Sequence, residues 1–243
     1  MSTHYVTGVA GIPTETVTFA LPRKWTSSGT KPAIILLPGT GEGTQFPFNP
    51  TVAQPLIKAL TDAGFPVGCA TPINQWGNDY CRLWISSIRT HMQTVLGART
   101  GKIGLIGLSQ GGFNVLSWAG ANSTLTGAVT GYLAPPDLEI AAGTQGYGNA
   151  VNDAYGGTYS EITMGAQYNP QTMAENGAYA GIPIELVYAS NDDVVPLSMQ
   201  TAFKNAVGSN VVQVNGGATG HSWNVTTANA QILPRLVSQM SSF

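Results

Sequence analysis

The hydrophobic and polar positions of the chain form two alternating patterns. Short, continuous apolar runs such as "AIILLPG" at 33–39 and "KIGLIGLS" at 102–109 predict strands that are buried on both faces. Between such runs, apolar residues recur every three to four positions, as in "LIKALTDAG" at 56–64, which predicts helices. Because strands that alternate with helices form parallel sheets with both faces covered, we expect a mainly parallel sheet flanked by helices.

The other predicted elements continue this alternation. An antiparallel hairpin is expected near the N-terminus, from "THYVTGV" and "TETVTFALP". The remaining predicted strands are 65–72, 128–135, 184–190 and 211–216. The remaining predicted helices are 82–97, 111–120, 199–208 and 225–240. Since proline disrupts a helix interior, we expect the last helix to be broken or bent near Pro234.

One segment, residues 137–180, interrupts the alternation. It is rich in Gly, Asn, Tyr and Thr, has no persistent apolar period, and is too long for an ordinary connection. We expect a cap-like insertion over the edge of the sheet. No linker composition divides the chain, so residues 1–243 are expected to form a single domain.

Composition and charge narrow the classes of partner. Apolar residues make up 43% of the chain, and charged residues only 9%, against about 25% in ordinary soluble chains. With a net charge of −2 and no basic run, nothing favours nucleic acid or an anionic membrane as a partner. No stretch is long and apolar enough to cross a bilayer, and no signal peptide is recognisable. We expect a monomer.

The cysteines and histidines bear on metal binding and on the compartment. Cys69 and Cys81 have a spacing that a disulfide could close, but buried free thiols fit equally well, and both readings stay open. Neither the cysteines nor the three scattered histidines have metal-ligand spacing, so no metal is expected. The low charge and the possible disulfide favour an extracellular protein.

A G-x-S-x-G motif, Gly107 to Gly111, lies between the predicted strand 102–109 and the predicted helix 111–120. This context is the one that a nucleophile elbow requires: a serine on a tight strand-to-helix turn, with small neighbours so that strand and helix can approach. A turn or helix-capping serine is the alternative for the motif by itself. In this context we predict that Ser109 is a nucleophile.

A nucleophilic serine needs a histidine as base and a carboxylate that orients the histidine. Asp192 follows the predicted strand 184–190, and His221 follows the predicted strand 211–216, so both are expected at the carboxyl edge of the sheet. The order Ser, Asp, His is the order that hydrolases of this architecture use. We therefore predict a triad of Ser109, Asp192 and His221.

The sequence contains other candidates for the acid and the base. Asp193 is expected mainly to cap the helix that begins near Pro196, and Asp137 also follows a predicted strand. His91 lies at the margin of a helical apolar stripe, and His4 lies near the N-terminus, so neither competes well with His221.

An oxyanion hole is the remaining requirement of acyl transfer. We expect one backbone N–H from Gln110, directly after the serine, and a second from Thr40 in the loop "LLPGTGEGT". The glycines of that loop also raise a phosphate-binding alternative. However, the loop lacks the Lys-Ser/Thr ending of a phosphate loop and does not lead straight into a helix.

These segments together resemble the α/β-hydrolases of the lipase B type, the group around Candida antarctica lipase B. The resemblance rests on "ILLPGTG" with Thr40, "AGFPVGCATP", "LSQGG" with Ser109 and Gln110, and "VYASNDDVVP" with Asp192. It implies an α/β-hydrolase fold and cofactor-free ester hydrolysis, with the matching residues as triad and oxyanion hole. The chain is shorter than those lipases, and its disulfide arrangement must differ.

The resulting expectation is a serine esterase or lipase that acts through an acyl-enzyme on small to medium, neutral, moderately apolar esters. Trp76, Trp223 and the tyrosines of the insertion are candidates to line the substrate pocket, with core packing as the alternative for each. An acyltransferase, a polysaccharide deacetylase, a cell-wall lipid esterase of the phage-lysin type and a non-catalytic binding protein of the same fold are the other hypotheses.

Overall fold

An eight-stranded sheet in the order β1-β2-β4-β3-β5-β6-β7-β8 forms the centre of the molecule. The structure, a computed structural model, describes residues 2–43, 46–49, 53–70, 75–143, 146–224, 230 and 233–242. Its strands are β1 Ser2–Val9, β2 Ile12–Leu21, β3 Pro32–Leu37, β4 Val67–Cys69, β5 Arg99–Leu108, β6 Thr126–Tyr132, β7 Ile184–Tyr188 and β8 Val211–Asn215. β1 and β2 form the predicted antiparallel hairpin, β2 pairs antiparallel with β4, and β3 to β8 are parallel. The prediction of a mainly parallel sheet is confirmed.

Helices cover both faces of this sheet. They are α1 Ala53–Asp62, α2 Asp79–Thr94, α3 Gln110–Ala121, α4 Leu138–Gly143, α5 Gly148–Ala154, α6 Glu161–Tyr168, α7 Pro170–Glu175, α8 Leu197–Val207 and α9 Leu233–Ser241, with 3-10 turns at Phe46–Phe48 and Ser123–Leu125. Pro234 lies in the first turn of α9, where proline is tolerated. Residues 225–229, 231 and 232 of the predicted last helix lie outside the described residues.

Alternation along β3 shows why the apolar runs form buried strands. Ile35 and Leu37 belong to the core beneath α2, α3 and α8, whereas Ile34 and Leu36 belong to the core beneath α1 and α9. Successive side chains of a strand point to opposite faces, so a strand that is covered on both faces needs an apolar residue at every position. All six residues of β3 are buried.

The two cysteines illustrate the same two-sided packing. Cys69 at the end of β4 belongs to the α1 and α9 core, and Cys81 in α2 belongs to the core on the other face. Both are buried and free, so the structure contains no bridge between them. Burial raises the pKa of both thiols, that of Cys81 to about 12. Each cysteine is a small apolar core residue.

The segment 137–180 folds into the four short helices α4 to α7. Each has only six to eight residues, which explains why no persistent apolar period marks this segment in the sequence. A small apolar cluster joins it to the rest of the molecule. Its members are Trp76, Phe113, Leu138, Ala141 and Val151. Since Phe113 lies in the first turns of α3, the insertion packs next to the position of Ser109.

Candidate active site

Ser109 occupies a strained turn between β5 and α3. Its φ of 49° and ψ of −120° place a non-glycine residue in a sparsely populated region of backbone space. The Ser109 N–H donates to the carbonyl oxygen of Tyr132 at the end of β6, at 2.8 Å, which anchors the turn to the sheet. A strained residue between a strand and a helix is the backbone geometry that a nucleophile elbow requires.

The glycines around Ser109 are required for steric reasons. A Cβ atom on Gly107 would collide with the carbonyl oxygen of Gly111, and one on Gly111 would collide with the carbonyl oxygens of Leu37 and Pro38. β5, α3 and the end of β3 therefore approach one another so closely that only glycine fits at these two positions.

Ser109, His221 and Asp192 form a continuous hydrogen-bonded chain. His221 Nε2 lies 2.8 Å from Ser109 Oγ, and His221 Nδ1 lies 2.9 Å from Asp192 Oδ2. The side chain of Asp192 is 2% exposed and that of His221 is 20% exposed. The structure thus brings together three predicted side chains that follow three different parallel strands, β5, β7 and β8, at the carboxyl edge of the sheet.

Two backbone N–H groups hold the Asp192 carboxylate in place. Asp192 Oδ1 accepts hydrogen bonds from Val194 N at 2.9 Å and from Val195 N at 2.8 Å. The expectation that Asp193 caps the following helix is wrong: the residue before α8 is Pro196, no side chain caps it, and Asp193 is exposed. The Asp192 carboxylate bonds to the backbone of its own loop, whereas Asp193 is exposed to solvent.

Two of the rival residues, Asp137 and His91, make contacts within the fold. Asp137 Oδ1 accepts from the N–H groups of Glu139 and Ile140, which caps the start of α4. The ring of His91 stacks on Phe19 with 5.0 Å between centroids, and burial lowers its pKa. His4 lies in β1.

Thr40 and Gln110 contact each other beside Ser109. Thr40 Oγ1 donates to Gln110 Oε1 at 3.2 Å. Gln110 is buried, and its Nε2 has no hydrogen-bond partner among the described residues. The threonine hydroxyl is therefore engaged by Gln110. The N–H of Gln110 belongs to the first turn of α3, where backbone donors lack intrahelical partners.

An open cleft of about 210 Å³ contains Ser109 and His221. Its lining residues come from the loop after β3, the elbow, the insertion and the loops after β7 and β8: Gly39, Thr40, Glu42, Leu108, Ser109, Tyr147, Val194 and His221. Tyr147 is one of the insertion tyrosines that the sequence offered as candidates. Glu42 was missed, although its position two residues after Thr40 in the "GTGEGT" loop was a usable signal.

The two tryptophan predictions are not supported by this geometry. Trp76 is only 2% exposed and packs against Phe113 and Tyr147, so it lies behind the cleft wall. The indole of Trp223 packs on the ring of Tyr132, with centroids 4.7 Å apart. Neither side chain lines the cleft as described. Core packing, the alternative role that the sequence leaves open for both tryptophans, fits these contacts.

Two other grooves of the described surface are larger, about 430 and 470 Å³. One lies around Trp25 and the other between α4, α6 and α7, and no histidine lines either of them. The cleft at Ser109 is therefore the candidate active site because of the side chains that line it, and not because of its volume. Within the described ranges no cluster of His, Cys, Asp and Glu fits a metal ion, and no helix has the length and apolar character needed to cross a bilayer.

Comparison of the sequence with family models and with curated proteins gives no match. Solved structures do match it. A fluorophosphonate-binding serine hydrolase F (FphF) of Staphylococcus aureus gives a TM-score of 0.77 at 10% identity, over 98% of this chain and 97% of that one. Est1E of Butyrivibrio proteoclasticus gives 0.73 at 12% identity, over the full length of both chains.

The chain has the α/β-hydrolase fold. A third similar structure is a puromycin-hydrolyzing peptidase of Mycobacterium tuberculosis, with a TM-score of 0.74 at 15% identity. The match covers 99% of this chain but only 39% of that protein, so this chain spans about two fifths of the peptidase's length. At these identities the likeness establishes the α/β-hydrolase fold, and the chemistry must be argued from the site.

Proposed function

We propose that the protein is a serine carboxylic-ester hydrolase with Ser109, His221 and Asp192 as its catalytic triad. The observation that carries the proposal is the unbroken chain of hydrogen bonds from Asp192 through His221 to Ser109 at a strained elbow. In hydrolases of this fold such a chain activates a serine hydroxyl, which is otherwise a weak nucleophile. The residues shared with the lipase B-like family support membership of that family as part of this proposal.

In the proposed reaction Ser109 is the nucleophile and His221 is the base. Asp192 accepts the Nδ1–H of His221, which leaves Nε2 free to accept the hydroxyl proton of Ser109. Ser109 Oγ then bonds to the ester carbonyl carbon, and the tetrahedral oxyanion collapses with loss of the alcohol, which takes the proton from His221. Water attacks the acyl-enzyme by the same route and releases the carboxylic acid.

The oxyanion is stabilised by backbone donors beside the serine. We assign this role to the N–H of Gln110 and the N–H of Thr40, as predicted from the sequence. The contact between the two side chains supports the assignment, because it ties the loop after β3 to the first turn of α3. Both donors are then fixed before substrate arrives, which is what makes such donors effective.

The size of the cleft bears on the substrate. A volume of about 210 Å³ is below the range of about 300–1,000 Å³ that is usual for ligand sites. We therefore propose esters of small to medium size. Adding a simple alcohol to the assay and analysing the products distinguishes hydrolysis from acyl transfer, since an acyltransferase would form the new ester in preference to the free acid.

Hydrolysis of p-nitrophenyl esters from acetate to palmitate, by the wild type and by Ser109→Ala, tests this function. We expect activity that is highest for short acyl chains and falls by at least about 10⁴-fold in Ser109→Ala. A fluorophosphonate probe should label the wild type and not the variant. Circular dichroism should show both proteins equally folded. Full activity or labelling of a folded Ser109→Ala would disprove the proposal.

A further inference from the structure

Two residues outside the proposed triad, Glu42 and Tyr147, add a negative charge and an aromatic ring to the lining of the cleft. Glu42 lies in the loop after β3, two residues from Thr40, and is half-buried. Tyr147 enters the same cleft from the insertion, just before α5. One acidic and one aromatic residue thus line the same small cleft as Ser109 and His221.

The charge of Glu42 is not balanced within this cleft. Neither lysine nor arginine is among the described residues that line it. Since water screens a half-buried carboxylate less than an exposed one, its field acts on any bound molecule. It also opposes the negative charge that develops on the oxyanion of a neutral or anionic ester, and a cationic group on the substrate would offset this repulsion.

Tyr147 has a fixed position in the cleft wall. Its ring lies 5.3 Å from that of Trp76, which is itself buried against Phe113. An aromatic ring backed by packed side chains is a suitable surface for an ammonium group, which the ring's negative face attracts. Aromatic rings and carboxylates are the groups that recognise such cations in proteins.

We propose that the cleft selects esters that carry an ammonium group, with Glu42 and Tyr147 as the residues that bind this cation. The proposal rests on the ester hydrolase function proposed above. It replaces the neutral ester expected from the sequence with an ester whose positive charge lies within reach of Glu42.

Matched pairs of esters that differ only in charge test this preference. One pair is butyrylcholine and 3,3-dimethylbutyl butyrate, in which carbon replaces nitrogen on the alcohol side. The other pair consists of the 4-nitrophenyl esters of 4-(trimethylammonio)butanoic acid and 5,5-dimethylhexanoic acid, which vary the acyl side. In at least one pair we expect kcat/KM to favour the cation by about tenfold at low salt, and less at 0.5 M salt because of screening.

Variants assign the preference to the two residues. Glu42→Gln should reduce the ratio of the two kcat/KM values to near one, and Tyr147→Leu should reduce it in part. Tyr147→Phe keeps the ring and should keep the ratio. Glu139→Gln removes the same charge from an exposed position on α4, outside the cleft, and should leave the ratio unchanged. Melting temperatures report whether each variant is folded.

The outcomes separate this inference from the function on which it rests. If neither the charged nor the neutral esters are hydrolysed, the proposed function and the inference both fail. If the neutral esters are hydrolysed and both ratios are near one, the inference alone fails. A preference that survives in Glu42→Gln would show that another group binds the cation.

Discussion

At the scale of single residues, the Asp192 side chain both holds its own loop through hydrogen bonds and contacts His221. Its Oδ1 atom accepts from two backbone N–H groups of its own loop, and both carboxylate oxygens face His221 Nδ1, at 3.1 Å from Oδ1 and 2.9 Å from Oδ2. The loop thereby fixes the direction of the carboxylate, which in the proposed triad sets the tautomer of the histidine. The neighbouring Asp193 has the same charge but an exposed side chain.

Asp192→Asn should separate these two tasks. The asparagine keeps an oxygen for the backbone N–H groups, but its amide donates to Nδ1 and leaves the proton of His221 on Nε2, facing Ser109. We expect kcat to fall by about 10⁴-fold, with the fold unchanged by circular dichroism. Asp193→Asn is the matched control and should stay within about twofold of the wild type. Comparable activity of the two variants would contradict the assignment of Asp192.

At the scale of elements, the packing of α9 on the sheet encloses a carboxylate. Glu185 in β7 is 3% exposed, and its nearest ionic partner among the described residues is Arg235 of α9, with 3.4 Å between Oε2 and Nε. Burial raises the pKa of Glu185 to about 7, and Arg235 opposes this rise. The folded protein therefore holds a proton on Glu185 at pH values where the unfolded chain has released it.

This proton makes stability depend on pH. Because the folded state binds the extra proton, the free energy of unfolding should fall as pH rises from about 4.5 to about 7, by about 3 kcal/mol from this group. Glu185→Gln removes the titration, so its urea unfolding free energy should fall less than that of the wild type between pH 5 and pH 8. Parallel pH profiles of the two proteins would show that Glu185 does not titrate in this way.

At the scale of the whole molecule, Arg82 links the insertion to the helices that cover the sheet. From α2, its guanidinium donates to Ser117 Oγ in α3 at 2.9 Å and to the carbonyl oxygen of Gln167 in α6. It also lies 4.8 Å from the ring centroid of Tyr168. Burial lowers the pKa of Arg82. One cation thus joins α2, α3 and α6.

Arg82→Met keeps the aliphatic stem of this side chain and removes the guanidinium. We expect a loss of about 2–4 kcal/mol in the free energy of unfolding, since several hydrogen bonds from a charged donor disappear and their buried acceptors lose a partner. Among the described residues, Arg89 on the same helix bonds to the carbonyl oxygen of Gly101, so Arg89→Met should cost less than about 1 kcal/mol. Urea unfolding curves measure both, and equal losses would contradict the linking role.

Much of the architecture follows from the sequence alone because it depends on local properties. An apolar run such as 33–39 can bury both of its faces only inside a covered sheet, and the motif around Ser109 carries the glycines that a close approach of strand and helix needs. The sequence therefore determined the alternation of strands and helices and the position of the elbow. It also placed Asp192 and His221 after later strands, in the order Ser, Asp, His.

Only the tertiary structure decided which side chains face one another across long stretches of sequence. Ser109 and His221 are 112 residues apart, and their contact depends on the order of the parallel strands. Glu42 and Tyr147 enter the cleft, whereas the aromatic Trp76 is buried behind it, because loop paths and packing, not residue type, set which side chain reaches the cleft. A local pattern selects an element, but the neighbours of a side chain are set by the fold as a whole.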